Sequence, residues 1–226
     1  MGNKTNPIGV RLLINSDWDD SVFARSKDYT ELFFLSYKVK AYLMMRYKFC
    51  GLISVNVKQE DGGYVVVLNI ENEDVFWCRV EQTAEQITDE LREWFWADAS
   101  LIVKQLEDVR FHPAVIASKL IGDISNNSTI KASVKQVAKP LIGFGIIGLK
   151  ASYAGRIYGV DIAQTVWHIE GRVPLHTLSA DIRYASVSVK TNYGICNVKV
   201  WVCASDFTAE HVETQETVQG QDEAES

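Results

Sequence analysis

Hydrophobic positions change their spacing along this chain, and the change separates helical segments from strands. Between residues 31 and 48 they recur close to the period of a helix, with basic residues between them. Residues 53–58 and 64–70 are rich in valine and isoleucine, and the Asp-Gly-Gly turn between them predicts a β-hairpin. Residues 80–96 have a helical pattern and 100–105 fit a short strand. The first half is therefore predicted to run helix, two strands, helix and strand.

The second half begins with two helices and then becomes strand-like. Residues 115–124 fit one helix, which the asparagine pair after it would stop. A second amphipathic helix follows over 130–140 and is predicted to end at its proline. Residues 147–153 fit a strand, and 184–202 alternate in polarity on both sides of an Asn-Tyr-Gly turn. These strands predict a mostly antiparallel sheet.

Four regions follow from these patterns, and together they predict an α+β fold. Residues 1–30 form a polar arm that we expect to be extended, and 31–108 form a first domain. Residues 109–207 form a second α+β domain with the antiparallel sheet. Residues 208–226 have the composition of a solvated, disordered tail. With 226 residues, 47% of them hydrophobic, the chain is long enough for two modest domains.

The net negative charge of the chain comes from its C-terminal tail, residues 208–226. Acidic residues there account for the whole formal net charge of −6, because the rest of the chain is balanced and the tail has no lysine or arginine. A neutral body differs from the basic surface of most proteins that are embedded in RNA. The acidic residues of the tail are Glu210, Glu213, Glu216, Asp222, Glu223 and Glu225.

Metal-binding and catalytic chemistry have little support in the residue pattern. The cysteines form no Cys-x-x-Cys pair, so zinc is not expected, and the histidines are scattered with no nucleophile motif beside them. His168 and Glu170 with Asp161 are an alternative metal or acid–base cluster, but such a polar pair is commonplace on a strand. The longest apolar run, residues 141–149, is too short to span a membrane. We therefore predict no enzyme, no cofactor, no metal, no membrane segment and no small-molecule substrate.

A Gly-x-Gly-x-x-Gly pattern over residues 143–148 is typical of dinucleotide-binding enzymes. That fingerprint has meaning only between a strand and the helix that the strand leads into. Here it follows a helix and leads into a strand, so we interpret its glycines as a helix C-cap and a turn.

Two motifs near opposite ends of the chain carry a family resemblance. Residues 171–184, Gly-Arg-Val-Pro-Leu-His-Thr-Leu-Ser-Ala-Asp-Ile-Arg-Tyr, and 191–202 resemble the C-terminal signature of ribosomal protein three of the small subunit. The opening residues 1–12, Met-Gly-Asn-Lys-Thr-Asn-Pro-Ile-Gly-Val-Arg-Leu, resemble the start of the same family, of bacterial and organellar type. The resemblance implies a structural constituent of the small ribosomal subunit. It also implies binding to ribosomal RNA in the head, near the channel through which mRNA enters.

Several polar residues are the RNA contacts that the resemblance implies. Arg172 and His176 lie beside Pro174, whose fixed φ predicts a stiff, extended backbone suited to contacts with phosphate and ribose. Alternatively, His176 is a structural histidine and Arg172 pairs with Glu170. The lysines at four-residue spacing after residue 130 would face mRNA, or else form an ordinary solvated face. The full set is Lys4, Asn6, Arg11, Lys131, Lys135, Lys139, Arg156, Arg172 and His176.

The first domain has the element order of a type II KH domain, an RNA-binding module, but lacks its functional loop. KH domains clamp a single strand with a Gly-x-x-Gly loop whose glycines admit the phosphates closely. The aligned residues here are Cys78, Arg79, Val80 and Glu81, so both glycines are missing and a carboxylate is added. We therefore interpret this domain as a degenerate KH domain. The aromatic residues around the loop, residues 76–77 and 94–96, are expected in the core or a protein interface, because few basic residues are interleaved with them; stacking on bases is the alternative.

The neutral body and the missing glycines favour a mitochondrial ribosome, where protein contacts replace RNA contacts; a bacterial cytoplasm or a plastid is the alternative. By resemblance, the neighbours are ribosomal proteins ten and fourteen of the small subunit, with four and five across the mRNA channel. A second hypothesis for function is a free RNA- or protein-binding adaptor built on a decayed KH fold.

Overall fold

The computed structural model describes residues 4–12, 14, 18–47, 50–60, 63–80, 84–95, 99–106, 109–125 and 129–206. The chain forms two compact units. One comprises Asp17–Val109, and the other combines Met1–Ser16 with Arg110–Ser226. We call Asp17–Val109 the KH-position unit, because it contains the residues predicted to form a KH domain, and we call the other the C-terminal unit. The mixed α+β class predicted from the sequence is confirmed.

The N-terminal arm differs from its prediction. Instead of being extended throughout, it contains a short helix, α1 (Pro7–Arg11), in which Pro7 occupies the first turn. Proline suits that position because the first-turn N–H groups have no partner within the helix. α1 contacts the C-terminal unit, to which its residues belong. The predicted boundary at residue 30 is therefore corrected.

The KH-position unit is built around a three-stranded mixed sheet. α2 (Tyr29–Arg46) precedes the hairpin of β1 (Leu52–Glu60) and β2 (Gly63–Ile70), and β1 and β2 pair antiparallel. Next come α3 (Glu73–Val80), α4 (Ala84–Phe95) and β3 (Ala99–Gln105), and β3 pairs parallel to β2. The hairpin and the third strand agree with the sequence prediction. The core joins the sheet to helix residues that include Leu43, Phe76, Ile87 and Leu91.

Helix α3 was not predicted, since the pattern indicated a single helix over 80–96. The side chain of Asn72 accepts hydrogen bonds from the backbone N–H groups of Asp74 (3.0 Å) and Val75 (3.5 Å). An asparagine that satisfies first-turn N–H groups starts a helix, and acidic residues in that turn favour it. Asn72 followed by Glu73 and Asp74 was therefore a readable start signal.

The C-terminal unit packs two helices on one face of a four-stranded antiparallel sheet. Its helices are α5 (Pro113–Ser125) and α6 (Ile130–Gly143). The strands lie in the order β5-β4-β7-β6, and every neighbouring pair is antiparallel, as predicted. Their bounds are β4 (Gly148–Gly155), β5 (Gln164–Gly171), β6 (Ala180–Thr191) and β7 (Gly194–Asp206).

Alternation along the strands explains which face meets the helices. Leu149, Ala151 and Tyr153 of β4 share a buried cluster with alternate residues 196–202 of β7 and with apolar residues of both helices. Because successive side chains of a strand point to opposite faces, the intervening residues lie on the other side of the sheet. That second side is only partly covered, by the small cluster of Ala180, Ile182 and Cys203.

The glycines of residues 143–148 have structural roles, as the sequence order indicated. Gly143 ends α6, Gly145 has a φ of +105°, and Gly148 begins β4. A Cβ on Gly148 would lie 2.6 Å from the backbone nitrogen of Arg172, so the close approach of the chain requires glycine. One detail is corrected: α6 does not end at Pro140 but continues to Gly143.

Candidate nucleic-acid interface

Three lysines form a basic stripe along α6. Lys131, Lys135 and Lys139 are exposed, whereas Ile130, Val134 and other residues of the opposite side are buried. Residues four positions apart lie on the same face of a helix, so the charges follow one line. Within the part of the chain that the structure describes, none of the three takes part in an ion pair. We call these residues the α6 stripe.

Arg11 does not belong to an RNA surface, and its predicted role is wrong. The side chain is only 5% exposed, and its Nε donates to the carbonyl oxygen of Ala180 at 2.8 Å. The guanidinium also donates to the carbonyls of Pro7 (3.0 Å), Thr177 (2.8 Å) and Leu175 (3.4 Å). Arg11 therefore ties α1 to the segment before β6 and leaves little of its charge for phosphate.

Asn6 and Lys4, in the same arm, have different surroundings. The side-chain oxygen of Asn6 accepts a hydrogen bond from Ile8 N at 3.0 Å, which makes Asn6 the N-cap of α1. Asn6 therefore has a structural role as an N-cap, and as an exposed residue it also stays a predicted RNA contact. Lys4 is exposed. Burial lowers the pKa of Lys150, and the positive charge of Lys4 lowers it further, so the two cations lie close together.

Arg156 stabilises a tight loop and is partly available to solvent. Its Nε donates to the carbonyl oxygen of Val160 at 2.8 Å, and a terminal nitrogen lies 3.6 Å from the carboxylate of Asp161. In this loop Tyr158 has a φ of +57°, a left-handed conformation that usually requires glycine. Arg156 is therefore at least partly occupied in holding a strained loop together.

Arg172 and His176 lie on the exposed segment between β5 and β6, on either side of Pro174. The alternative pairing of Arg172 with Glu170 is not found, because Glu170 contacts His168, with 2.8 Å between Oε1 and Nε2. Asp161 instead faces Arg156, so the three residues considered as a metal or acid–base cluster are not brought together. The described residues contain no group of three or more potential metal ligands.

The residues aligned with the KH loop lie at the end of a helix. Cys78, Arg79 and Val80 form the last turn of α3, and Glu81 lies outside the described residues. The connection between α3 and α4 thus comes after most of the predicted loop, which corrects the alignment. Phe76 is buried and meets the edge of Trp77 at a centroid distance of 5.3 Å, as expected of core residues. The aromatic side chains of residues 94–96 lie outside the described part of the chain.

Sequence reasoning missed a second group of basic and aromatic residues, on the side of the C-terminal sheet away from the helices. Lys150 lies between two tryptophan rings, 5.0 Å from the centroid of Trp201 and 5.7 Å from that of Trp167. Their spacing along the chain is wide, so only strand pairing brings them together. The alternation Asn197-Val-Lys-Val-Trp201 was the available signal. Among the described residues, no helix combines the length and hydrophobicity needed to cross a membrane.

Comparisons with known proteins agree with the resemblance noted in the sequence. A family model described as ribosomal protein S3, C-terminal domain, matches residues 116–202, which lie within the C-terminal unit. Small ribosomal subunit protein uS3 of Cereibacter sphaeroides (strain ATCC 17025 / ATH 2.4.3) is 31% identical over 202 residues, which cover 89% of this chain and 85% of that protein.

The similarity to other relatives reaches the ends of the chain. Small ribosomal subunit protein uS3 of Coxiella burnetii (strain RSA 331 / Henzerling II) is 27% identical over 225 residues, covering 100% of this chain and 99% of the relative. The protein of the same name from Dinoroseobacter shibae is 29% identical over 202 residues, covering 89% of this chain and 84% of that protein. The chain therefore belongs to the ribosomal protein S3 family, whose members in these comparisons are called small ribosomal subunit protein uS3.

Proposed function

We propose that this protein is a structural constituent of the small ribosomal subunit and acts in translation by binding ribosomal RNA. The observation that carries the proposal is similarity to small-subunit uS3 proteins over nearly the whole chain. Membership of this family also favours a structural role over an enzymatic one. The neutral body does not oppose the proposal, because its net positive charge lies in residues 1–16 and 110–207, which carry 13 lysines and arginines against 5 aspartates and glutamates.

The α6 stripe is the surface best suited to a phosphate backbone. Its lysines are exposed, follow one line and have no carboxylate partner in the described chain. Lysines that neutralise phosphates release counterions, which makes binding favourable without any sequence readout. The stripe is proposed to lie in the head, facing mRNA where it enters or nearby ribosomal RNA. Lys4, Asn6, Arg172 and His176 remain proposed RNA contacts, and Arg156 a partial one.

The KH-position unit is proposed to derive from a type II KH domain that no longer clamps single-stranded RNA. Its order of helix, two strands, two helices and strand supports that origin. The loss of clamping is supported by the sequence around the connection between α3 and α4, because residues 64–121 contain no glycine. The unit instead exposes large apolar side chains along α2, which favours contact with protein. These are Tyr29, Phe33, Phe34, Tyr37, Met44 and Met45.

The proposed surroundings are ribosomal proteins ten and fourteen of the small subunit, with four and five across the mRNA channel. We propose a mitochondrial location on the strength of the charge balance and the exposed apolar face of α2, since protein contacts then replace RNA contacts. The relatives compared above are bacterial, and a bacterial cytoplasm or a plastid is the competing location.

Sedimentation in a sucrose gradient tests the proposed function directly. The tagged protein is expected to comigrate with small ribosomal subunits in an extract of its own cells. It should remain with them after a moderate salt wash, because several surfaces attach it. A pool that stays wholly in the soluble fractions would contradict the proposal and favour the free adaptor. Organelle fractionation before the gradient distinguishes the mitochondrial location from the others.

A further inference from the structure

The side of the C-terminal sheet away from α5 and α6 is an exposed surface with a distinctive composition. Strand pairing defines its members: Lys150 lies opposite Ile169 and Trp201, and Ser152 lies opposite Trp167 and Lys199. Directly paired residues of antiparallel strands point to the same face. We call this surface the open face; its residues are Lys150, Ser152, Ala154, Thr165, Trp167, Ile169, Tyr184, Ser186, Ser188, Lys190, Ile195, Asn197, Lys199 and Trp201.

The open face is positively charged in a chain whose net charge is negative. Lys150, Lys190 and Lys199 belong to it, and none of its residues named above carries a carboxylate. His168 and Glu170 of the same edge strand pair with Ala151 and Leu149, which places them toward the helices. Lys4 adds a further cation close to Lys150. Cations gathered without a counter-charge are stabilised by an incoming anion.

Aromatic rings are interleaved with these lysines. Lys150 lies between the rings of Trp201 and Trp167, and Tyr184 meets Trp201 at a centroid distance of 5.4 Å. Trp201 and Tyr184 are half-buried, whereas Trp167 is 61% exposed. An indole that exposed on a strand offers a flat surface on which a base can stack. Serines, a threonine and Asn197 around the rings supply hydrogen-bonding groups.

We propose that the open face binds a segment of single-stranded RNA, with a base stacked on Trp167 and adjacent phosphates on Lys150 and Lys199. Positive charge combined with exposed aromatic rings is the surface that single-stranded nucleic acids require. The bases of a duplex are stacked on each other and do not reach the indole. A protein partner fits less well, because lysine is depleted in the cores of protein interfaces.

This proposed site depends on the proposed function in one respect, which is that the RNA it binds is ribosomal. The open face is a separate surface from the α6 stripe. α6 packs on the opposite side of the same sheet, so one unit presents RNA-binding surfaces on both sides. The stripe offers charge alone and accepts any phosphate backbone. The open face adds stacking, which selects unpaired nucleotides. The protein would then attach to a folded RNA and also hold an unpaired segment of it.

The test uses the full-length protein and a fluorescent oligouridine of about ten nucleotides, within the site sizes seen for single-strand binders. Trp167→Ala removes the stacking surface and Lys199→Gln removes one exposed charge. Phe144→Ala is the matched control, because Phe144 is also 61% exposed but lies at the C-cap of α6, away from the open face. Circular dichroism checks that all variants fold alike.

Trp167→Ala is expected to weaken oligouridine binding about tenfold or more, and Lys199→Gln several-fold, while Phe144→Ala has less than about a twofold effect. Duplex RNA of equal length should not distinguish Trp167→Ala from the control. Equal affinities of the Trp167 and Phe144 variants for oligouridine would overturn the proposal. So would unchanged RNA binding with loss of a neighbouring protein from the isolated subunit, since the face would then be a protein interface. Comigration of the wild type with subunits is measured separately, so a failure of the ribosomal assignment is seen independently.

Discussion

The two units use their cationic side chains in different ways. In the KH-position unit, Lys40 lies 2.6 Å from Asp20, Arg46 lies 3.0 Å from Glu90 and Arg92 lies 3.4 Å from Asp89. The C-terminal unit also contains ion pairs, such as Arg156 with Asp161 at 3.6 Å, but it exposes the α6 stripe, which forms no ion pair in the described chain. The charge balance separates the two units more clearly: residues 17–109 carry 10 lysines and arginines against 18 aspartates and glutamates, whereas residues 1–16 and 110–207 carry 13 against 5.

This difference separates two kinds of attachment. A lysine paired with a carboxylate gains little by approaching phosphate, because it must first lose its partner, whereas an unpaired lysine releases counterions. The KH-position unit compensates with an exposed apolar face on α2. We therefore propose that RNA attaches mainly to the C-terminal unit and that neighbouring proteins contact the KH-position unit. A chain with a net charge of −6 can therefore still present surfaces that bind RNA.

The largest predicted effect concerns Arg11, whose buried side chain holds α1 in the C-terminal unit. Arg11→Ala should lower the free energy of unfolding by about 3 kcal/mol, because buried carbonyls lose charge-assisted hydrogen bonds. Chemical denaturation measures the loss. Arg172→Ala, at an exposed position, is the control and should change stability by less than about 0.5 kcal/mol. An Arg11 variant of normal stability with weakened RNA binding would restore the RNA-contact interpretation.

The effect of deleting residues 1–12 is expected to come from the loss of the same contacts. Because α1 and Arg11 pack within the C-terminal unit, the deletion should destabilise that unit as well as reduce incorporation into the subunit. An arm that was extended throughout, as the sequence predicted, could be removed without this loss of stability.

The next effect concerns the α6 stripe. Replacing Lys131, Lys135 and Lys139 with alanine should reduce the salt dependence of RNA affinity by roughly 0.7 to 0.9 log units for each phosphate that is no longer neutralised. Helicity should be retained, because alanine is the better helix former. Filter binding over a range of salt concentrations measures the slope. A matched variant of the KH-position unit, with the exposed Lys27, Lys38 and Lys104 changed to alanine, should leave the slope nearly unchanged, because acidic residues outnumber basic ones in that unit and keep phosphates away. Equal slopes for the two variants would contradict the comparison.

A smaller effect concerns the core between the two proposed RNA-binding surfaces, the α6 stripe and the open face. The hydroxyl of Tyr153 is buried and has no hydrogen-bond partner among the described residues. Tyr153→Phe should therefore raise the free energy of unfolding by about 1 kcal/mol. Burial, followed by smaller effects of nearby titratable groups, raises the pKa of Tyr153.

The difference in stability between the wild type and Tyr153→Phe should depend on pH in one direction. A raised pKa in the folded state leaves stability unaffected below the ordinary tyrosine pKa of about 10, and removes stability as the pH rises above it. The wild type should thus lose stability relative to Tyr153→Phe above about pH 10. Chemical denaturation of both proteins at pH 8 and pH 10.5 measures this loss. An equal difference in the free energy of unfolding at the two pH values would contradict the burial of the Tyr153 hydroxyl.

The smallest effect concerns the apolar face of α2. Tyr37 and Met45 are 62% and 78% exposed, so replacing both with glutamine should change the free energy of unfolding by less than about 0.5 kcal/mol. The variant should nevertheless bind less firmly to small subunits in a gradient, since part of the surface proposed to contact neighbouring proteins is removed. A large loss of stability would show that this face belongs to the core.

The features that could be predicted from the sequence are those that depend on residues close together along the chain. The β1–β2 hairpin, the C-terminal antiparallel sheet and the lysine spacing of α6 all follow from local periodicity and turns. Helix α3 was missed although its start at Asn72 was readable, because the two short helices were taken as one. In the first domain, local pattern was thus sufficient for the strands and insufficient for the helix pair.

What could not be predicted from the sequence depends on distant pairing. The partner of Arg11 at residue 180 lies 169 positions further along the chain, and no spacing rule connects them. The open face likewise exists only after Lys150, Trp167 and Trp201 are brought side by side by the strand order β5-β4-β7-β6. Family motifs identified residues that match the family but did not separate those that hold the fold from those that face outward.

Ultraviolet cross-linking of RNA to protein in purified small subunits tests the division between the units most directly. Mass spectrometry of the linked peptides locates the contacts along the chain. We expect cross-linked peptides from the C-terminal unit, around the α6 stripe and around Trp167, and few or none from residues 17–109. Cross-links concentrated in residues 17–109, with the peptides of α6 and β5 unmodified, would contradict the account.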